Sequence, residues 1–232
     1  MAMISVDATD GSGRFTALVV EPAHKPAGAV LVIQEIFGVN DAMRATAAEI
    51  AAMGFFAIVP DLFWRLKPGI DLTDKSEAEW KLAFDYMNRF DQDLGIEDLK
   101  ATLKVARTLP GTNGRVATMG YCLGGRLAFM MATRADADLN ISYYGVGVDG
   151  LLGELKTVSK PLLLHIAAED KFVPKEAQAR IVEAVRGNPH VHAYVYANAD
   201  HAFARVNGTH FHALSATVAN GRSAEALEAA LG

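Results

Sequence analysis

Arg115-Val116-Ala117-Thr118-Met119-Gly120-Tyr121-Cys122-Leu123-Gly124-Gly125 is the stretch that decides the fold class. Its first part, Arg115–Tyr121, reads as an apolar strand, and Leu123–Thr133 reads as a helix, so the chain turns sharply between them. Glycines two before and two after Cys122 remove Cβ atoms that such a turn would crowd, and strained dihedrals fall on the middle residue. The helix start aims free N–H groups and a positive dipole end at the turn. That favours both a thiolate and a developing oxyanion. Cys122 is therefore a candidate nucleophile; the glycine spacing weighs against its being a buried, inert cysteine.

Outward from this turn the chain alternates strand and helix. Upstream, Asp10-Gly11-Ser12-Gly13 marks a hairpin between Met3–Asp7 and Arg14–Glu21. Ala29–Gln34 is a continuous apolar run, the pattern of a strand covered on both faces. Asn40 or Asp41 caps a helix running to about Met53, and Phe55–Pro60 is a further buried strand. Residues 61–74 read as a loop, Ser76–Phe90 and Asp93–Leu109 as helices, and Pro110–Gly114 as a turn. Downstream come strands at Ala137–Tyr144, Pro161–Ala167 and His190–Tyr196. A helix is expected over Pro174–Arg186 and another from Thr209 onward. The expectation is an α/β fold, a mostly parallel central sheet with helices on both faces, in a single domain over 1–232. In such sheets sites form at the carboxyl ends of strands.

Composition narrows the function classes. A chain that is 51% hydrophobic and 21% charged is too apolar for disorder. Its 22 Lys and Arg against 27 Asp and Glu show no basic run, so nucleic acid is not an expected partner. One cysteine allows no internal disulfide, which fits a reducing compartment. The start, Met1-Ala2-Met3-Ile4-Ser5-Val6-Asp7, lacks a signal-peptide pattern, and no uncharged apolar stretch is long enough to span a membrane. A cytoplasmic, monomeric protein acting on a small molecule is expected.

Two further strand ends carry titratable residues. Ala167-Ala168-Glu169-Asp170-Lys171-Phe172-Val173-Pro174 places Asp170 as a candidate acid, with Glu169 as its rival and a helix-start role as the plain alternative. Asn198-Ala199-Asp200-His201-Ala202-Phe203 places His201 after the last strand, and a ring with an ordinary pKa of about 6.5 can accept and return a proton. The order nucleophile, acid, histidine is that of α/β-hydrolases. His190 and His192 share a strand face, but no carboxylate or cysteine cluster completes a metal site, so no metal or cofactor is expected. His210 and His212 take surface or packing roles, and His165, within an apolar strand, is expected to be a satisfied core residue.

Gln34-Glu35-Ile36-Phe37-Gly38, Gly120-Tyr121-Cys122-Leu123-Gly124-Gly125, Tyr143-Tyr144-Gly145 and His201-Ala202-Phe203-Ala204-Arg205 together resemble the dienelactone hydrolase (carboxymethylenebutenolidase) family of the α/β-hydrolase superfamily. The resemblance runs from the N-terminal hairpin to about residue 220. It implies a carboxylic ester or lactone hydrolase in which Cys122 attacks the carbonyl, His201 is base and acid, and Asp170 orients it. It further implies that Glu35 helps deprotonate Cys122 and that backbone N–H groups of Ile36 and Leu123 form an oxyanion hole. Arg205 would pair with Glu35, or with a substrate carboxylate when one arrives. The family's second substrate-gripping arginine aligns with Trp80, and its neighbouring aromatics with Phe84 and Met87. Lys81 or Arg65 could supply the missing charge, although a lysine is not equivalent to a bidentate arginine. Trp80 and Phe84 instead suggest a larger or less charged substrate. A related hydrolase of another small ester or lactone, and a non-catalytic small-ligand-binding protein of the same fold, stay open as alternatives.

Overall fold

Every residue of β3 (Ala27–Ile33) and β4 (Phe56–Pro60) is buried, as strands with helices on both sides require. In the computed structural model, which describes residues 1–232, they belong to one eight-stranded sheet of order β1-β2-β4-β3-β5-β6-β7-β8. The others are β1 (Ala2–Asp7), β2 (Arg14–Val20), β5 (Thr112–Tyr121), β6 (Leu139–Tyr143), β7 (Leu162–Ala167) and β8 (Val191–Tyr196). The hairpin β1–β2 and the β2–β4 pair are antiparallel; all remaining pairs are parallel.

Helices α1 (Asp41–Ala52) and α6 (Ala213–Leu231) cover one face; α3 (Gln92–Thr108) and α4 (Leu123–Arg134) cover the other. A 3-10 helix at Val148–Thr157 bridges α4 to α5 (Lys175–Val185). No helix is long and apolar enough to cross a membrane.

Asn40 rather than Asp41 caps α1, its side chain accepting from the Met43 N–H at 3.2 Å. Two expected boundaries shift most. β5 begins at Thr112, inside the expected turn, because its start pairs with Ala27 through an irregularity in register. α6 begins at Ala213, where the His212 ring accepts from the Ser215 N–H, rather than at Thr209. The 3-10 helix is an element not expected; Gly150 and Gly153 break its sequence pattern.

The strand order places the site. From β3 the chain moves to β4 on one side and then to β5 on the other, so the loops after β3 and β5 part and leave a crevice at their carboxyl ends. Over that crevice lies α2 (Glu77–Arg89), its Trp80 and Phe84 facing the cavity that Cys122 lines.

Candidate active site

Cys122 sits between β5 and α4 with φ 55° and ψ −114°. A non-glycine residue held at such dihedrals costs about 1–3 kcal/mol. Neighbouring glycines make the geometry possible. A Cβ on Gly120 would lie 1.9 Å from the Gly124 carbonyl oxygen, and one on Gly124 2.3 Å from that of Ile33. Packing and chemistry are thus served by the same residues, because the close approach that excludes side chains also presses the end of β3 against the turn.

Asp170 and His201 are joined. The His201 Nδ1 lies 2.8 Å from Asp170 Oδ2, while Oδ1 accepts from the N–H groups of Phe172 and Val173 at 2.8 and 3.3 Å. Glu169 instead faces solvent and pairs with Lys175. The His201 ring is wedged edge-on between Tyr144 and Phe172. Its Nε2 is buried without a hydrogen-bond partner, and the residue lines the same cavity as Cys122. Burial opposes a charged ring here, but the Cys122 sulfur and then Asp170 outweigh it, and His201 is pushed up to about 10. The buried ring is therefore well able to carry a proton while Asp170 holds Nδ1.

Glu35 and Arg205 form a buried ion pair. Arg205 Nε donates to Glu35 Oε2 at 2.5 Å and Nη2 to Oε1 at 3.1 Å. Glu35 makes no hydrogen bond to Cys122 in this arrangement, so the deprotonating role implied for it would require it to leave Arg205. The Ile36 N–H has no protein acceptor. Leu123 is the first residue of α4, where an N–H has no intrahelical partner. Both donors flank the crevice.

The cavity is walled by Phe37, Trp80, Phe84, Met87 and Phe172, with Cys122 and His201 in its lining. Lys81 does not reach it: the residue is exposed and absent from the lining. Arg65 lies elsewhere, bound to Asp98 at 2.7 Å and Asp10 at 2.9 Å near the N-terminal hairpin. Neither supplies the missing positive charge.

Two residues of the site were not anticipated. Asp74 holds Arg205 from the loop before α2, and Phe172 closes the wall beside His201. Nothing in spacing marks Asp74; a large apolar residue in the loop after the acid, Phe172, was the one available signal. His165 is a core residue as expected, bonded to Tyr196 at 2.8 Å and Ser223 at 3.0 Å. His190 and His192 are exposed, His210 pairs with Asp200, and no His, Cys, Asp or Glu side chains converge as a metal site would need.

The profile of the dienelactone hydrolase family matches residues 15–231. The chain belongs to that family. It is 49% identical, over 100% of both chains, to a provisionally named carboxymethylenebutenolidase of Azospirillum brasilense. With a carboxymethylenebutenolidase of Pseudomonas putida it shares 39% identity, over 94% of this chain and 92% of the relative. In fold it resembles a provisionally named dienelactone hydrolase from Klebsiella pneumoniae, with a TM-score of 0.84 over 98% and 99% of the two chains at 23% identity. Membership makes the chain a hydrolase of the α/β-hydrolase fold.

Proposed function

We propose that this dienelactone hydrolase family member cleaves a small carboxylic ester or lactone through a thioester on Cys122. The observation that carries the reading is the unpartnered Nε2 of His201, which shares a cavity with Cys122 while Nδ1 is held by Asp170.

His201 Nε2 takes the thiol proton, and the thiolate sulfur attacks the ester carbonyl carbon. Negative charge moves to the carbonyl oxygen, for which the N–H groups of Ile36 and Leu123 are the available donors. The intermediate collapses, the C–O bond to the leaving group breaks, and His201 returns its proton to the departing alkoxide. A water then gives its proton to His201 and attacks the thioester, releasing the acid and restoring the thiol. Asp170 fixes the ring so that Nε2 faces the sulfur and stabilises the imidazolium.

Geometry favours His201 over Glu35 as the group that accepts the thiol proton, because both Glu35 oxygens accept from Arg205. In the proposed roles Arg205 fixes one wall of the substrate site, and Trp80 and Phe84 contribute its apolar surface. Hydrolysis of short aryl esters by the purified protein, with Cys122→Ala as control, tests the reading. Turnover should vanish in the variant while its folding transition persists; retained turnover would sink the nucleophile.

A further inference from the structure

Arg205 is shared between two carboxylates. Its side-on edge, Nε and Nη2, is taken by Glu35, and Nη1 donates to Asp74 Oδ2 at 2.7 Å. The side chains of Arg205 and Asp74 are each only 5% exposed. The same Asp74 oxygen accepts from the Thr209 N–H and hydroxyl, both at 3.2 Å. Burial opposes charge on Asp74, but Thr209 and Arg205 outweigh it and hold the carboxyl below its usual range. One guanidinium thus faces two carboxylates, and the buried cluster is net negative.

The loop that carries Asp74 is fixed in place. Leu72 donates to the Phe37 carbonyl at 2.9 Å, Val39 to that of Ile70 at 3.0 Å, and the Asn40 side chain to that of Leu72 at 2.9 Å. Gly38, at φ 78°, allows this contact, since a Cβ there would sit 2.0 Å from the Ile70 oxygen. The Trp80 indole N–H closes the loop on the Asp74 carbonyl at 3.0 Å. A substrate carboxylate reaching for Arg205 would have to displace one of two anchored anions. Apart from Cys122 and from His201, whose ring Asp170 already holds, the remaining wall is aromatic and aliphatic and offers no second arginine or lysine.

We propose that Asp74 is a specificity-determining residue, which by holding Arg205 reserves the pocket for esters or lactones whose acyl part carries no charge. The proposal deepens the reading of this site as a hydrolase site and rests on it for its kinetic test. Uncharged acyl groups meet an apolar wall, and anionic ones meet a buried cluster of their own sign.

Matched substrates read the effect directly: methyl para-nitrophenyl glutarate and para-nitrophenyl hydrogen glutarate differ by one negative charge at nearly equal length. The wild-type protein should favour the uncharged ester in kcat/KM by about tenfold or more. Asp74→Asn should raise the anionic-to-neutral ratio by about tenfold or more, chiefly through KM, while Asp74→Glu keeps the original preference. Wild-type preference for the anionic ester, or an unchanged ratio in Asp74→Asn, would overturn the proposal. A second readout needs no turnover. By calorimetry, glutarate should bind the Cys122→Ala, Asp74→Asn protein about tenfold more tightly than Cys122→Ala alone, and equal binding counts against Asp74. If neither ester is turned over while the binding difference stands, the hydrolase reading fails and the role of Asp74 does not.

Discussion

The residues at the β5–α4 turn carry two separable obligations. Cys122 answers to chemistry, whereas Gly124 answers to the Ile33 carbonyl oxygen, 2.3 Å from where its Cβ would be. Gly124→Ala should therefore destabilise the fold by about 3 kcal/mol or more, seen as a lower urea midpoint, before any effect on catalysis is considered. Cys122→Ser should leave that midpoint within about 0.5 kcal/mol of wild type, because a hydroxyl replaces a thiol of similar size. His201→Ala and Asp170→Asn should each lower kcat by about 10³- to 10⁴-fold on a neutral aryl ester in steady-state kinetics. Equal activity in Asp170→Asn would remove Asp170 from the proposed triad. That Cys122, Asp170 and His201 would come together was legible because each follows an apolar strand, in the order cysteine, aspartate, histidine. Asp74 was not legible, because its role exists only through Arg205, which lies 131 positions away.

Among the elements, β6, β7, β8 and α6 are joined by a buried polar chain independent of the cavity chemistry. His165 bonds Tyr196 and Ser223, and the Ser223 hydroxyl lies 2.7 Å from that of Tyr143, which also donates to Asn220 at 2.9 Å. Burial first, and Arg222 second, lower His165 to about 3. In the unfolded chain an ordinary histidine takes a proton near pH 6.5, so between pH 6.5 and 3 the unfolded state binds the proton that the folded state refuses. Stability from this residue is complete above pH 6.5 and falls as pH drops, by about 2 kcal/mol at pH 5. Urea midpoints measured from pH 7 to pH 5 should fall in the wild type and fall less in His165→Gln; parallel slopes would contradict this. The strands and most helices were readable from apolar runs and caps. The 3-10 helix at Val148–Thr157 was not, since its glycines hide the periodicity and its position is set by packing between α4 and α5.

Across the whole molecule, the last turn of α6 closes the sheet. Leu231 is fully buried against Gly28 of β3, and its carbonyl accepts from the Asn113 side chain of β5 at 2.9 Å. Leu231→Ala should cost about 2–5 kcal/mol in chemical denaturation, since a buried leucine is lost where the neighbouring strands cannot collapse to fill the space. That scaffold holds β3 and β5 side by side, and the loops that part from their carboxyl ends leave the crevice where ester chemistry is proposed. Intact-mass spectrometry during turnover of an aryl ester tests the central claim most directly. The account predicts a transient mass increase equal to the acyl group, localised to Cys122 and absent in Cys122→Ala. Sustained hydrolysis by Cys122→Ala, or an acyl group found on another residue, would contradict it.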